Sequence, residues 1–569
     1  MPGFFITNTE KVPTLTNYVQ SRCVQGELQY GQWHVHRNVL DKYMDDKLFF
    51  QNDAYIVVLD GVILNKRALI AQCGDENWEE TFLHMVREKE DFFEAFRGVF
   101  AGAVYFKQRQ KWIVFTDQTN SHLLLTYVQE GRVAFGTQMN YFSEWMKLSG
   151  IKREVDPVWE EDFFTFGTMI DSHTILKDVN RIHPGCYGYY DETRCELYER
   201  IYCQMTKREV DHNITIQQAI DQLDELFRQA IRRILDKDAE YGYTTLVDIS
   251  GGLDSRMIAR IAVELGKDNV MLNTYGQPGC DEYKSAQKVR RVLDTGGFDF
   301  QLKTRYLMDI DDLVWMNNGM NYYTGAMGVW RCLELLDRKM FGAQCWGLLG
   351  DIWEGAMIHH QMSAPPNWQM PRYRMGRTIP FTPEFHTERW SYEDNELLWF
   401  YARGMFAGLN TAQVRQNFLE PITPFGDVEF MRFCFSLPED MRVKDHVYRR
   451  WMKYKYPEIA RVPYASTGIP VMVHSRVEWL CALPRRIWRK FQTTLLGSER
   501  TWLGMDLDLW YEKDCGVHQA IDKYYRDNLH ILNEWPQIKQ KVECLFAGNQ
   551  YADKTMALTA LSAVKQYLL

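Results

Sequence analysis

A chain of 569 residues is too long for one ordinary hydrophobic core, so two or three domains are expected; 46% hydrophobic and 25% charged residues suit a globular protein that folds in water. A net charge of −9 argues against nucleic acid as an obligate partner, and no run approaches the roughly 18 apolar residues of a spanning helix. The opening MPGFFITNTEKVPTL lacks the basic-then-apolar order of a secretion signal, and the twelve cysteines are scattered without a CxxC pair, so the expectation is a cytoplasmic protein with buried, reduced thiols and no membrane contact.

The first 200 residues read as β-rich. In AYIVVLDGVIL (54–64) two apolar runs flank an Asp-Gly, the pattern of a hairpin, and VFAGAVYFKQRQKWIVFTD (99–117) repeats it around a polar turn. RVAFGTQMNYF (132–142) and GCYGYYDETRCELYER (185–200) add strands, and NWEETFLHMVREKEDFFEAFRG (77–98) is the clearest helix, which together predict a layered α+β domain over 1–205. A polar stretch near 203–212 marks the boundary to a second domain, 210–569. Ile216, Ile220, Leu223, Phe227, Ile231 and Ile234 then follow steps of three and four, one buried helix face. TTLVDIS (strand), SRMIARIAVELGK (helix ending at Gly266), NVMLNTYG (strand) and DEYKSAQKVRRVL (helix) alternate as in a parallel sheet covered by helices. From about 380 onward the pattern is mostly helical. The fold class is therefore α/β with two domains.

The most informative stretch is Ser250-Gly251-Gly252-Leu253-Asp254-Ser255, between a strand and a helix. Free N–H groups and the helix dipole favour an anion there, glycines let its oxygens approach, and hydroxyls add donors. Asp254 beside a phosphate makes sense when a divalent cation bridges the two. The alternative is a glycine-rich turn whose Ser and Asp merely cap the helix. The string is not the Walker pattern, which requires Gly-Lys-Ser/Thr.

It resembles the pyrophosphate loop of ATP pyrophosphatases, and the residues after it narrow the likeness to asparagine synthetases. TYGQPGCDEYKSAQKV (274–289) is similar to that family's second nucleotide segment, WGLLGDIWEG (346–355) to its SGEGSDELFGG motif through Gly347, Asp351 and Gly355, and LEPITPFGDVEF (419–430) to its E-x-R-x-P-F-x-D segment through Glu420, Pro424, Phe425 and Asp427. VLDGVILNKRAL and FRGVFAGAVYFKQRQKWIVFTDQ resemble segments of class II glutamine amidotransferase domains. The resemblance implies an N-terminal Ntn-hydrolase-like domain and a C-terminal PP-loop domain. It implies ATP and Mg²⁺, a carboxylate activated as an acyl-adenylate with release of pyrophosphate, and attack by ammonia or an amine. On this likeness Asp254 and Asp351 hold the metal and carry catalysis; Ser250, Gly251, Gly252 and Ser255 hold the pyrophosphate; Leu246, Asn273, Thr274, Tyr275, Gly276 and Gly347 border the adenosine.

Several positions depart from the family. The glutaminase of this class attacks with an N-terminal cysteine, where this sequence reads Met1-Pro2-Gly3; its oxyanion Asn-Gly is Asp60-Gly61, and its Arg-Gly-Pro segment is missing. The expectation is no glutamine hydrolysis. In the synthetase motifs, Leu348 replaces a glutamate, Ile422 or Thr423 an arginine, and Ser466 stands near a lost lysine, for which Arg461, Lys453 or Lys455 are stand-ins. These changes argue against ordinary aspartate amidation. They leave open a cyclase of the β-lactam or lasso-peptide type (with Tyr322, Tyr323 or Glu334 as base, unless these only pack), amidation of a carboxylated sugar or metabolite, and a nucleotide-binding scaffold without turnover; a homodimer is also left open. CALPRRIWRKFQTTLLG (481–497) is basic with aromatic residues interleaved, and reads as a solvated helix anchored by its aromatic face, with an acidic surface as the other reading. His359-His360 lacks partners at metal-ligand spacing and reads as structural.

Overall fold

The computed structural model describes residues 2–353, 362–368, 379, 390–473, 475–495 and 503–569. Strands β1 (Gly3–Thr7), β2 (Cys23–Tyr30), β3 (Trp33–Leu40), β4 (Leu48–Gln51), β5 (Tyr55–Ile63), β6 (Gly98–Phe106), β7 (Lys111–Thr116), β8 (Leu125–Gln129), β9 (Arg132–Gly136), β10 (Asn180–Arg181), β11 (Cys186–Asp191) and β12 (Glu196–Ile201) form two antiparallel sheets, ordered 10-8-9-1-3-2 and 12-11-7-6-5-4. The sheets stack face to face, and strand alternation explains the apolar runs. On β5, Ile56 and Val58 meet Phe4 and Ile6 of β1 between the sheets, whereas Val57 and Leu59 face outward onto α1 (Lys66–Cys73) and α2 (Trp78–Glu88). Phe5 of β1 likewise turns outward onto Trp145 of α3 (Met139–Leu148), beside α4 (Pro157–Phe166). Strands buried on both faces lose the apolar–polar alternation. The result is a helix–sheet–sheet–helix layering.

Two local expectations are corrected. The Asp60-Gly61 pair is not a hairpin turn: β5 runs through it, pairing Asp60 with Ala101 and Gly61 with Phe100 of β6. Gly61 takes φ +108°, and a side chain there would lie 2.1 Å from the Val99 carbonyl oxygen, so the glycine serves close strand approach. The second half of RVAFGTQMNYF is helical, because the aromatic residues of α3 pack as one helix face against β1.

The second half opens with α5 (Ile216–Tyr241), held at its start by a Thr215/Gln218 capping box and ended by Gly242 in the left-handed region. Its buried face includes Ile220, Leu223, Phe227, Ile231 and Ile234; Ile216 is half-buried. Then come β13 (Thr244–Asp248), α6 (Asp254–Gly266), β14 (Val270–Gly276), α7 (Asp281–Leu293), β15 (Gly297–Gln301), β16 (Phe341–Cys345) and β17 (Glu420–Ile422). All five strands pair in parallel, ordered 15-14-13-16-17. The chain thus starts the sheet in its middle and adds strands to both sides, creating a switch point at the carboxyl end of β13, where open parallel sheets leave a crevice for ligands. Helices predominate among the described residues after 395. The two halves are joined by buried charge: Asp46 meets Lys66 (2.6 Å) and, from α5, Lys237 (3.2 Å).

Candidate active site

The crevice after β13 contains the six-residue string. The Ser250 N–H donates to Ser255 Oγ (3.0 Å), the two hydroxyls lie 3.0 Å apart, and the Gly252 N–H donates to Ser250 Oγ (3.2 Å). Beneath the loop the buried Arg256 guanidinium donates to the carbonyls of Gly252 (2.9 Å), Gly251 (3.2 Å) and Val462 (2.8 Å) and to Ser285 Oγ (3.2 Å). With these carbonyls held by Arg256, the loop is fixed at the start of α6, where an anion is favoured.

Asp254 and Asp351 line the same cavity, of about 460 Å³. The fit is close: a Cβ on Gly350 would fall 2.3 Å from Asp254 Cγ and 2.6 Å from each carboxylate oxygen, and one on Gly347 would fall 3.0 Å from Asp254 Cβ. The Asp254 carboxylate therefore lies against the main chain that leads directly into Asp351. Its Oδ1 is buried without a hydrogen-bond partner among the described residues. An orphaned carboxylate oxygen beside a second acid and a phosphate-type loop is a donor set suited to Mg²⁺. Between the two glycines Leu349 takes φ +71°, a conformation costly for a leucine and characteristic of functional turns.

Ser250, Gly252, Asp254, Ser255, Tyr275, Gly347 and Asp351 are brought together on the cavity wall. The other expected nucleotide residues lie behind it. Leu246 is wholly buried in the core, Asn273 is spent on Asp248 (3.0 Å) and on accepting from Cys332 (3.0 Å), and Thr274 is buried. Gly251 packs on Ala465 and Glu282, and Gly276 on Cys280 and Gly504. Of the three expected bases only Tyr322 lines the cavity: Tyr323 hydrogen-bonds Tyr551 (2.6 Å) in the core, and Glu334 binds Arg331 (2.7 Å) elsewhere. The suggested cations are also elsewhere, with Lys455 on Asp221 (2.6 Å) and neither Lys453 nor Arg461 among the lining residues. Gly355 and His359-His360 lie outside the described residues.

The cavity holds groups that sequence reasoning did not single out. Asp248 binds Arg415 (2.6 Å) and accepts from Asn273 (3.0 Å) and Gln344 (2.9 Å); the Arg415 guanidinium stacks 4.3 Å over Trp346 and reaches the Tyr275 hydroxyl (3.5 Å). Burial pushes Tyr275 up to about 12. A second guanidinium, Arg403, projects from a π-helical stretch, Phe400–Gly408, that walls the far side with Leu348 packed on Gly408. The signal for Asp248 was present: a carboxylate at the end of a strand otherwise buried.

In the first half, the site expected to stabilise an oxyanion is occupied by charge. Asp60 binds Lys47 (2.9 Å) and lies 3.4 Å from His122, and Glu420, from β17, lies 3.8 Å from Lys47. All four side chains are buried.

Residues 37–144 match a glutamine amidotransferase domain and residues 222–344 match asparagine synthase. No curated protein matches. Among solved structures, an allosteric regulatory enzyme of purine biosynthesis is similar at 10% identity over 53% of this chain and 74% of that one, with a TM-score of 0.23. A glutamine phosphoribosylpyrophosphate amidotransferase from B. subtilis has the same identity, score and coverage of this chain, and 84% of its own length is covered. The two domain matches fall in this order on a doubly layered antiparallel half and a parallel-sheet half, the order found in the asparagine synthetase superfamily, and the match over residues 222–344 supports an ATP-dependent ligase domain there.

Proposed function

We propose that this protein condenses a carboxylic acid with ammonia or an amine at the expense of ATP, through an acyl-adenylate, and does not hydrolyse glutamine. The observation that carries the reading is the Asp254 carboxylate, with one buried oxygen unpartnered, packed against Gly350 and followed on the same wall by Asp351. Ser250, Gly252 and Ser255 would receive the β- and γ-phosphates of ATP, and Asp254 and Asp351 would hold Mg²⁺. When bound, the metal neutralises phosphate charge as the bond between the α- and β-phosphates breaks.

A carboxylate oxygen attacks the α-phosphorus and pyrophosphate departs. The amine nitrogen then attacks the acyl carbon, the carbon–oxygen bond to AMP breaks, and the nitrogen gives up a proton. The Ser250–Ser255 hydroxyl pair and the loop carbonyls held by Arg256 keep the phosphate site formed before the ligand arrives, the arrangement that gives electrostatic stabilisation its force. Arg415 is committed to Asp248, so the cavity keeps a neutralised pair at its base; Arg403 is the other guanidinium on the wall among the described residues. On the far wall Leu348 offers an incoming amine no charge.

The absence of glutamine hydrolysis rests on Asp60. A carboxylate fixed by Lys47 stands where a donor to a developing oxyanion is required, and repels that charge instead. The test is to incubate the protein with Mg²⁺, ATP and pooled carboxylic acids, with ammonium or with glutamine. AMP and pyrophosphate should appear with ammonium or an added amine, glutamate should not appear with glutamine, and Asp254→Asn should abolish AMP release. ADP and phosphate as products, or undiminished AMP release by Asp254→Asn, would refute the reading.

A further inference from the structure

Apart from the nucleotide cavity, a thiol, a carboxylate and an imidazole converge at the turn between α1 and α2. Cys73 closes α1, Gly74 takes φ +74° as its left-handed C-cap, and Asp75 follows before Asn77 caps α2 through the Glu80 N–H. The reversal at Gly74 brings Cys73 and Asp75 to His84, in the second turn of α2. Cys73 Sγ, a carboxylate oxygen of Asp75 and a ring nitrogen of His84 all lie within 4.8 Å of one another, and no other three such side chains do so among the described residues. Asp75 Oδ2 is 3.2 Å from His84 Nδ1, and Glu88, one helical turn on, holds the other ring nitrogen, Nε2, at 3.1 Å. His84 is the only cationic partner of either acid among the described residues.

We infer that Cys73, Asp75 and His84 form a binding site for Zn²⁺. Tetrahedral zinc takes nitrogen and oxygen at about 2.0–2.1 Å and sulfur at about 2.3 Å, which puts its oxygen and nitrogen ligands about 3.3 Å apart and its sulfur and nitrogen ligands about 3.6 Å apart. The Asp75–His84 separation already meets the first distance, and a side-chain rotation of Cys73 supplies the second. An ordinary surface ion pair explains Asp75 and Glu88 about an imidazole, but not a thiol beside two carboxylates, whose charge disfavours the thiolate. A dication bound to all three resolves that conflict: the Cys73 thiol gives up its proton as the zinc–sulfur bond forms, and His84 binds through Nδ1 while its Nε2–H donates to Glu88. That pairing of a ligating imidazole with a carboxylate fixes the ring and raises its basicity. The mixed sulfur, nitrogen and oxygen set selects zinc over Mg²⁺, which takes oxygen ligands, so this site is chemically distinct from the one at Asp254 and Asp351. Nothing lies within 4 Å of where a Gly74 Cβ would stand, so the turn is open and water completes the coordination. The bound ion would tie the end of α1 to the middle of α2, stapling the helical hairpin that covers Val57 and Leu59 of β5.

The experiment is a titration of the chelator-stripped full chain with Co²⁺, a spectroscopic substitute for zinc, followed by Zn²⁺. One equivalent should bind with the visible absorption of four-coordinate cobalt and an ultraviolet thiolate-to-cobalt band, both bleached by Zn²⁺ and unaffected by excess Mg²⁺. Cys73→Ser should lose the thiolate band, and His84→Gln and Glu88→Gln should each weaken binding about tenfold or more. These side chains are half-buried or exposed, and circular dichroism checks that each variant stays folded. None of them lines the nucleotide cavity, so Asp254→Asn should leave the titration unchanged. Absence of a thiolate band in the wild type overturns the proposal. So does an undiminished band in Cys73→Ser, since another cysteine would then hold the ion.

Discussion

Gly350 offers a sharp test of the nucleotide site, because it is small for a single reason. A methyl group there would sit 2.3 Å from Asp254 Cγ, where ordinary contact begins at 3.4 Å, so Gly350→Ala must move the carboxylate, or the turn bearing Asp351, by about 1.1 Å. Gly350 is not in the left-handed region, so alanine adds crowding without backbone strain. Overpacking of this kind costs about 1–3 kcal/mol, which should lower the melting temperature by only a few degrees. A displacement near 1 Å in a positioned charge costs about a hundredfold, roughly 2.8 kcal/mol, in what that charge holds. The assay is calorimetric titration with a non-hydrolysable ATP analogue and Mg²⁺. Gly350→Ala should bind about a hundredfold more weakly than wild type while remaining folded, and Gly350→Ala/Asp254→Asn should bind no more weakly than Asp254→Asn, since both changes act on one carboxylate. Wild-type affinity in Gly350→Ala, with binding lost in Asp254→Asn, would refute the claim that this contact sets the metal site. Additive losses in the double variant would refute it too.

Other outcomes follow from buried charge. Arg415→Met strands Asp248 in the cavity floor and should destabilise the protein by about 3–5 kcal/mol in denaturant titration, whereas Arg415→Met/Asp248→Leu should recover most of that loss. Burial alone would lower the pKa of His122, but Asp60 outweighs it and holds the pKa above its ordinary 6.5. This contribution to stability is therefore complete below about 6.5 and is lost as pH rises through the raised value, and His122→Gln should flatten that part of a pH–stability profile. Burial would raise Asp60, yet Lys47 and His122 hold it well below the usual carboxylate range, so its contribution persists to strongly acidic pH. Asp60→Asn removes the nearer of the two acids beside the buried Lys47, leaving it Glu420 at 3.8 Å, and should cost about 3 kcal/mol, and glutamate release from glutamine should remain absent, as a coupled dehydrogenase assay would register.

Local order was legible wherever one period dominated. The strand–helix alternation from Thr244 to Leu293 appears in the structure within a residue or two of its expected limits, because strand β13 and helix α6 each bury a continuous apolar set. The Asp60-Gly61 error had the opposite origin: a dipeptide that commonly turns a hairpin was kept straight by its ladder with β6 and by the ions around Asp60. At the site, the loop and both aspartates could be read because they are consecutive or belong to short motifs. Arg403 and Arg415 could not, since they reach the loop only through folding of segments more than a hundred residues away, and Asp248, though marked by its place at the end of a buried strand, shows its partner Arg415 only in the fold. The helix 475–495 is not anchored by its aromatic face: Ile487, Trp488 and Phe491 are exposed, while Arg485 and Arg489 bind Asp281. Its pattern is the same whether the apolar side faces the core or the solvent; the Asp281 contacts decide it, and they come from another helix.

The clamp under the phosphate loop has a consequence for how the site tolerates change. Arg256 ties Gly251 and Gly252 to the carbonyl of Val462 and the hydroxyl of Ser285, so the loop's shape is written partly in residues that never face the cavity. Changes in the cavity wall, such as at Leu348, leave this foundation and its hold on the loop untouched. On the proposed function, substitutions in that wall would alter which substrates are joined and leave the shape of the nucleotide loop unchanged.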